Sequence, residues 1–262
     1  MFKKLITTTF LSLGLASTLY GANISKDECI KKDGNFIFSG GECIEYKVYL
    51  SEDSEAINIL VHGRWDLGSN TLGRYGPFAE NMNMMTDLTT VAVALPGYSG
   101  SSTNNLKSLA HKGEENLAAT KEYVEFLATL IEDLKNKYNA QSVNVIAHSA
   151  GAMMTGTITG LKPNLIQNAV LAGGRYDIHE ISDNKELISM VDVLDKVSKD
   201  TKLLFVYGTK DEISKPEVTT NFFEKIKEEG LDGKLLKVEG AGHIDLDMTD
   251  EAIQSAVELF EE

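Results

Sequence analysis

The chain contains no Cys-x-x-Cys pair, no two histidines three or four residues apart, and no excess of positive charge. Each absence removes a class of function. Without the paired-thiol spacing there is no signature of a redox dithiol centre, and without close-set histidines no ligand pattern for a zinc hydrolase. With 25 Lys and Arg against 39 Asp and Glu, the formal net charge is −14. Such a surface repels phosphate backbones, so nucleic acid is not an expected partner. Internal repeats and low-complexity linkers are also missing, which argues against solenoids and disordered tethers.

What is present describes an ordinary globular chain. Of its residues 42% are hydrophobic and 24% charged, and 262 positions suffice for one large core. The N-terminus reads as an export signal over residues 1–22. Phe2-Lys3-Lys4 supplies positive charge, Leu5 to Ser17 is apolar and uncharged, and small residues follow at Gly21 and Ala22. The apolar stretch is short and diluted by Ser and Thr, so a stable membrane anchor is not expected. Residues 23–262 are then read as one domain, periplasmic or secreted. In that compartment Cys29 and Cys43, the only two cysteines, form a disulfide that stabilises by about 3 kcal/mol through loop closure.

Hydrophobic patterning sets the order of elements. Strands are expected over 35–38 and 43–50, joined by a Ser39-Gly40-Gly41 turn, then at 56–61, 90–95, 142–147, 168–172, 203–207 and 234–238. Between them lie helices over 77–87, 113–138, a small-residue stretch ending before Pro163, 186–198, 216–229 and one capped by Thr249. A hairpin followed by alternating strands and helices means a mostly parallel sheet covered on both faces, a three-layer α/β fold.

One turn stands apart. The apolar run Val143 to Ile146 stops at Ala147-His148-Ser149-Ala150-Gly151 and small residues follow, which reads as strand, tight elbow and helix start. A serine there projects its hydroxyl above the sheet, while the N–H groups of the new helix face any developing oxyanion. The carboxyl ends of the other strands carry His62-Gly63, Leu95-Pro96-Gly97-Tyr98-Ser99-Gly100-Ser101, Gly208-Thr209-Lys210-Asp211 and Gly240-Ala241-Gly242-His243. In an open parallel sheet, function gathers at those ends.

Taken together in this order, the five pieces resemble an α/β-hydrolase of the serine-hydrolase type from about Ala56 onward. The resemblance implies Ser149 as nucleophile, His243 as its base and Asp211 as the acid that orients the imidazole. It also implies an oxyanion hole from the backbone N–H groups of Ala150 and Arg64, and requires no cofactor. Glu212, Asp245 and Asp247 compete with Asp211 for the acid role, but Asp211 best fits the strand-end spacing; Asp245 and Asp247 read as solvated loop carboxylates or helix caps. Trp65, Tyr98 and Met153 are candidate pocket residues, and Met82, Met84, Met85 and Met154 are weighed as pocket or core. His62 and His148 read as buried turn residues, His111 and His179 as surface residues, Arg74 and Arg175 as solvated charges.

The expected activity is cleavage of a carboxylic ester, with a small ester or short peptide as substrate. A peptidase or amidase of the prolyl-oligopeptidase-like type and a non-catalytic binding module are the alternatives. The short interval from Ala172 to Leu203 leaves no room for a large cap domain, so a fairly open cleft is expected, with any lid drawn from 64–80 or 174–190.

Overall fold

A computed structural model describes residues 24–52, 55–65, 69–99 and 116–261. The expected signal segment, His111, the Gly100-Ser101 end of one motif and the first residues of the 113–138 helix lie outside them.

Eight strands form a single sheet in the order β1-β2-β4-β3-β5-β6-β7-β8. The strands are β1 (Phe36–Ser39), β2 (Glu42–Tyr49), β3 (Ala56–Val61), β4 (Thr89–Val93), β5 (Ser142–His148), β6 (Asn168–Ala172), β7 (Lys202–Gly208) and β8 (Gly233–Val238). β1 pairs antiparallel with β2, and β2 antiparallel with β4; all other pairings are parallel. The β1–β2 turn runs through Gly40 and Gly41 at φ 56° and 87°, a two-residue hairpin connection that calls for positive φ at both positions. Beside this hairpin, Cys43 is bonded to Cys29 of the short helix α1 (Lys26–Ile30), with Cα atoms 5.6 Å apart.

Alternation along the strands sorts the core into two layers. Ile57, Ile59 and Val61 of β3, with Val143, Val145 and Ala147 of β5, face helices α3 (Lys121–Lys137), α4 (Ala150–Leu161) and α5 (Pro216–Glu228). Leu60, Ile146, Val170 and Val206 point the other way, towards α2 (Thr71–Thr86) and α6 (Asp250–Glu261). Near-continuous apolar strands are what burial on both faces demands.

Three helices differ from expectation. α2 begins at Thr71 rather than Pro77, capped by Asn70, whose side-chain oxygen accepts from the Gly73 N–H at 2.9 Å. Proline most often opens a helix, but here it lies inside one. Its crowding falls on the preceding residue, and Gly76 has no Cβ to collide. The buried series Leu72, Tyr75, Ala79, Met82 is the signal that marks the true start. Because 71–80 are packed on the sheet, they form no lid.

The 186–198 segment is a 3₁₀ turn, Met190–Lys196, and not an α-helix. It lies across α4, where a Cβ on Gly160 would come within 2.3 Å of the Val193 carbonyl oxygen. Apolar residues at 190, 193, 194 and 197 suit either helix type over so short a run. In the described part of the expected 113–138 element the helix is broken: Leu117–Ala119 form a separate 3₁₀ turn, and Thr120 caps α3. Among the described residues no cap domain interrupts the fold, and no helix is long and apolar enough to cross a membrane.

Candidate active site

The elbow forms as the sequence suggests, and under strain. Ser149 sits between β5 and α4 with φ 53° and ψ −118°. A non-glycine residue occupies such a conformation at a cost of about 1–3 kcal/mol, which the surrounding structure must offset. Two backbone bonds hold it: the Ser149 N–H donates to Ala172 O of β6 at 2.8 Å, and Ser149 O accepts from the Met153 N–H at 3.1 Å. Close approach does the rest. A Cβ at Gly63 would stand 2.7 Å from Ser149 Cβ, and one at Gly151 would stand 2.5 and 2.6 Å from the carbonyl oxygens of Val61 and His62. The end of β3 can touch the start of α4 only because both positions are glycine.

Ser149, His243 and Asp211 come from the ends of three strands and meet. His243 Nδ1 lies 2.8 Å from Asp211 Oδ2, and Nε2 lies 2.8 Å from Ser149 Oγ. A carboxylate only accepts, so Nδ1 carries the proton and the Nε2 lone pair is left to receive the serine hydroxyl. Asp211 is buried, and its other oxygen accepts from the N–H groups of Ile213 at 2.9 Å and Ser214 at 2.8 Å. Three donors thus fix one carboxylate. The histidine loop is closed onto β7 by Lys210 N–H donating to Ala241 O at 2.9 Å, and a Cβ at Gly208 would meet that same oxygen at 2.4 Å. His148 of the elbow donates from Nε2 to His243 O at 2.8 Å, its ring 4.8 Å from that of His243.

His62 supports the site from below. Its Nδ1–H donates to Gly63 O at 2.7 Å, and Nε2 accepts the Leu95 N–H at 2.9 Å, extending the β3–β4 ladder with a side chain. Both nitrogens are used in the neutral form, and complete burial holds the ring down at about 4. Tyr98 accepts from the Ala118 N–H at 3.1 Å. Burial pushes its phenol up to about 12, against the opposing pull of that bond and of the Arg64 charge.

A cleft of about 390 Å³ opens over Ser149 and His243. Tyr98, Met153, Ile178, Ile181 and Ile213 supply its apolar wall, and Ala150 and Arg64 border it beside the serine. Of the three candidate pocket residues, Tyr98 and Met153 line this cleft and Trp65 does not. Trp65 packs instead with the α2–α6 layer, 5.2 Å from the Arg74 guanidinium. Met82 and Met154 are core residues, and Met84 and Met85 are exposed.

Several charged residues also differ from expectation. Asp247 is buried rather than solvated, in the 3₁₀ turn Leu246–Met248, and its charge adds to burial in raising the Tyr75 phenol. Asp245 forms an ion pair with Arg74. His179 is bonded to Asp192 at 2.9 Å, and Arg175 pairs with Glu180 at 3.3 Å. Four further residues of the cleft, Ile178, Ile181, Ile213 and Ser214, carry no motif in the sequence. They directly follow the Gly173-Gly174 and Asp211 strand ends, and that position was the available signal. Among the described residues no cluster of three or more His, Cys, Asp or Glu is placed to hold a metal ion.

The family model for the alpha/beta hydrolase fold matches residues 59–198. No curated protein sequence matches the chain. Among solved structures, an esterase of Pyrococcus furiosus superposes with a TM-score of 0.67 at 15% identity, over 91% of this chain and 95% of its own. Est1E of Butyrivibrio proteoclasticus, solved with ferulic acid bound, gives 0.62 at 14% identity over 87% of this chain and 100% of its own. A lidless serine hydrolase of Xanthomonas campestris gives 0.57 at 15% identity over 83% of this chain and 89% of its own. At these identities the likeness is one of fold.

Proposed function

The chain belongs to the alpha/beta hydrolase fold family, and from that premise we propose that it is an exported serine hydrolase cleaving carboxylic esters through an acyl-enzyme. The observation that carries this reading is the relay from Asp211 through His243 to a strained Ser149, opening on an apolar cleft. Ser149 Oγ attacks the ester carbonyl carbon while its proton passes to His243 Nε2. Charge collects on the former carbonyl oxygen, where the Ala150 and Arg64 N–H groups receive it. The imidazolium, steadied by Asp211, returns the proton to the departing alcohol, and water then repeats the sequence to release the acid. Met153 and Tyr98 shape the pocket.

Two features support export. A charged and then apolar stretch occupies residues 1–22, and the Cys29–Cys43 disulfide suits an oxidising compartment. Residues 23–262 then form the mature, single-domain enzyme, periplasmic or secreted. The esterase and serine-hydrolase neighbours agree with an ester substrate.

The test is labelling of the mature protein with a fluorophosphonate probe beside Ser149→Ala, followed by a 4-nitrophenyl ester chain-length series. Labelling confined to the unsubstituted protein, with turnover of short esters, is the expected result. A folded protein that neither labels nor turns over any ester overturns the reading.

A further inference from the structure

Charge in the cleft runs opposite to charge on the chain. Acidic residues outnumber basic ones 39 to 25 overall, yet the cleft wall carries Arg64 and Arg175 and, among the described residues, no Asp or Glu. Neither arginine is spent on a strong partner. Arg64 is exposed and has no ion pair among the described residues. Arg175 has a side chain only 25% exposed, and a single nitrogen, Nη1, contacts the half-exposed Glu180 at 3.3 Å. An ion pair of that kind contributes little, and it leaves the rest of a five-donor planar fork uncommitted. The same wall presents Ile178, Ile181 and Ile213, the last two 57% and 68% exposed. Exposed isoleucines beside a guanidinium fit a ligand with a methylene chain and an anionic end, and a planar fork matches a carboxylate bidentately.

Resting on the proposed ester hydrolysis, we infer that the cleft selects esters bearing a free carboxylate at the end of a short aliphatic chain, anchored by Arg175 with Arg64 as the second positive charge. The volume of about 390 Å³ accommodates a half-ester of this size. Arg64 serves the reaction twice under this assignment, its backbone N–H towards the oxyanion and its side chain towards the substrate anion. The surrounding negative surface slows the approach of anions in general, so discrimination comes from the cleft and not from long-range steering.

The experiment compares kcat/KM for matched pairs at low salt. Mono-4-nitrophenyl adipate against 4-nitrophenyl hexanoate places the carboxylate on the acyl side; 6-acetoxyhexanoate against hexyl acetate places it on the alcohol side. In one pair the anionic ester is favoured about tenfold, and that ratio falls to about one in Arg175→Gln, with a partial fall in Arg64→Gln. Neutral esters turned over as well as anionic ones in both pairs, with ratios unmoved by Arg175→Gln, overturn the inference and leave the esterase reading standing. A protein that hydrolyses no ester fails the esterase reading instead. In that case calorimetric titration with adipate against 1,6-hexanediol decides the matter: adipate-selective heat lost in Arg175→Gln upholds the anion site, and no adipate binding overturns it.

Discussion

The two ends of the parallel sheet both bury polar side chains, and they link them in different ways. At the amino end, Asn58, Asn144 and Asn168 stand opposite one another in register on β3, β5 and β6. Asn168 donates to Asn144 at 2.8 Å, Asn144 to Asn58 at 3.0 Å, and Asn58 to Thr90 and Thr86 at 3.1 and 2.9 Å. The ladder runs inside the protein from Asn168, whose Oδ1 is buried without a partner among the described residues, to the Thr90 and Thr86 hydroxyls. At the carboxyl end the chain of bonds runs from Asp211 through His243 and finishes at a hydroxyl facing a cleft, next to a backbone held at positive φ. One network pins the register of four strands, because a slip of one residue would bury unpaired amides. The other is open at one end, which is where a substrate would complete it.

That contrast yields predictions, the largest first. Ser149→Ala removes the open terminus: ester turnover falls about a million-fold, while the urea unfolding midpoint changes little. Progress curves and unfolding curves on the same preparation check both halves. Asp211→Asn leaves the geometry near native but offers His243 the wrong partner for its tautomer, and turnover falls about ten thousand-fold. Asp245→Asn, which touches the Arg74 pair and not the relay, lowers turnover less than about tenfold. Reversed effects in this pair of variants would move the acid role to Asp245.

Asn144→Ala strikes the buried amide ladder. It strands Asn58 Oδ1 and one Asn168 N–H, so stability falls by about 3 kcal/mol, with kcat per folded molecule unchanged. Denaturation midpoints and active-site titration measure this. A large kcat loss at full folding would mean that the two ends are coupled.

The smallest effect concerns pH. His62 is held down at about 4 in the folded protein, against an ordinary value near 6.5. The unfolded chain therefore binds the extra proton first as pH falls. The contribution is complete above about 6.5 and is lost between there and about 4, roughly 3 kcal/mol in all. In His62→Asn the drop in urea midpoint between pH 7 and pH 4.5 is smaller than in the unsubstituted protein. An equal drop would mean that other groups carry the whole acid sensitivity.

The strands were legible in the sequence because their cause is local. A strand buried on both faces reads as a mostly apolar run, and Ile57–Val61 and Val143–Ala147, each interrupted by one Asn, and Ala169–Ala172 read that way wherever they lie. The elbow was legible for a related reason: only small residues fit where β5 turns into α4, so Ser149 between Ala147 and Gly151 announces itself. The helix over 71–86 was misplaced at its start because Pro77 is a strong local signal, and the relief offered by Gly76 is a weaker one. Asp247, four residues after the motif histidine in a short loop, reads as solvated; its burial follows from α2 and α6 packing around that turn.

By itself, then, the sequence determined the order of strands and helices, the tight elbow and the types of residue at the strand ends, since each depends on neighbours a few positions apart. Tertiary structure alone decided which of Asp211, Asp245 and Asp247 would meet His243, that Trp65 would turn from the cleft to Arg74, and that two arginines would border an apolar wall. The first and last of those outcomes depend on distances between segments far apart in the chain, 32 residues for Asp211 and His243 and 111 for Arg64 and Arg175. Such distances are set by sheet register and helix packing, which no short stretch of sequence encodes.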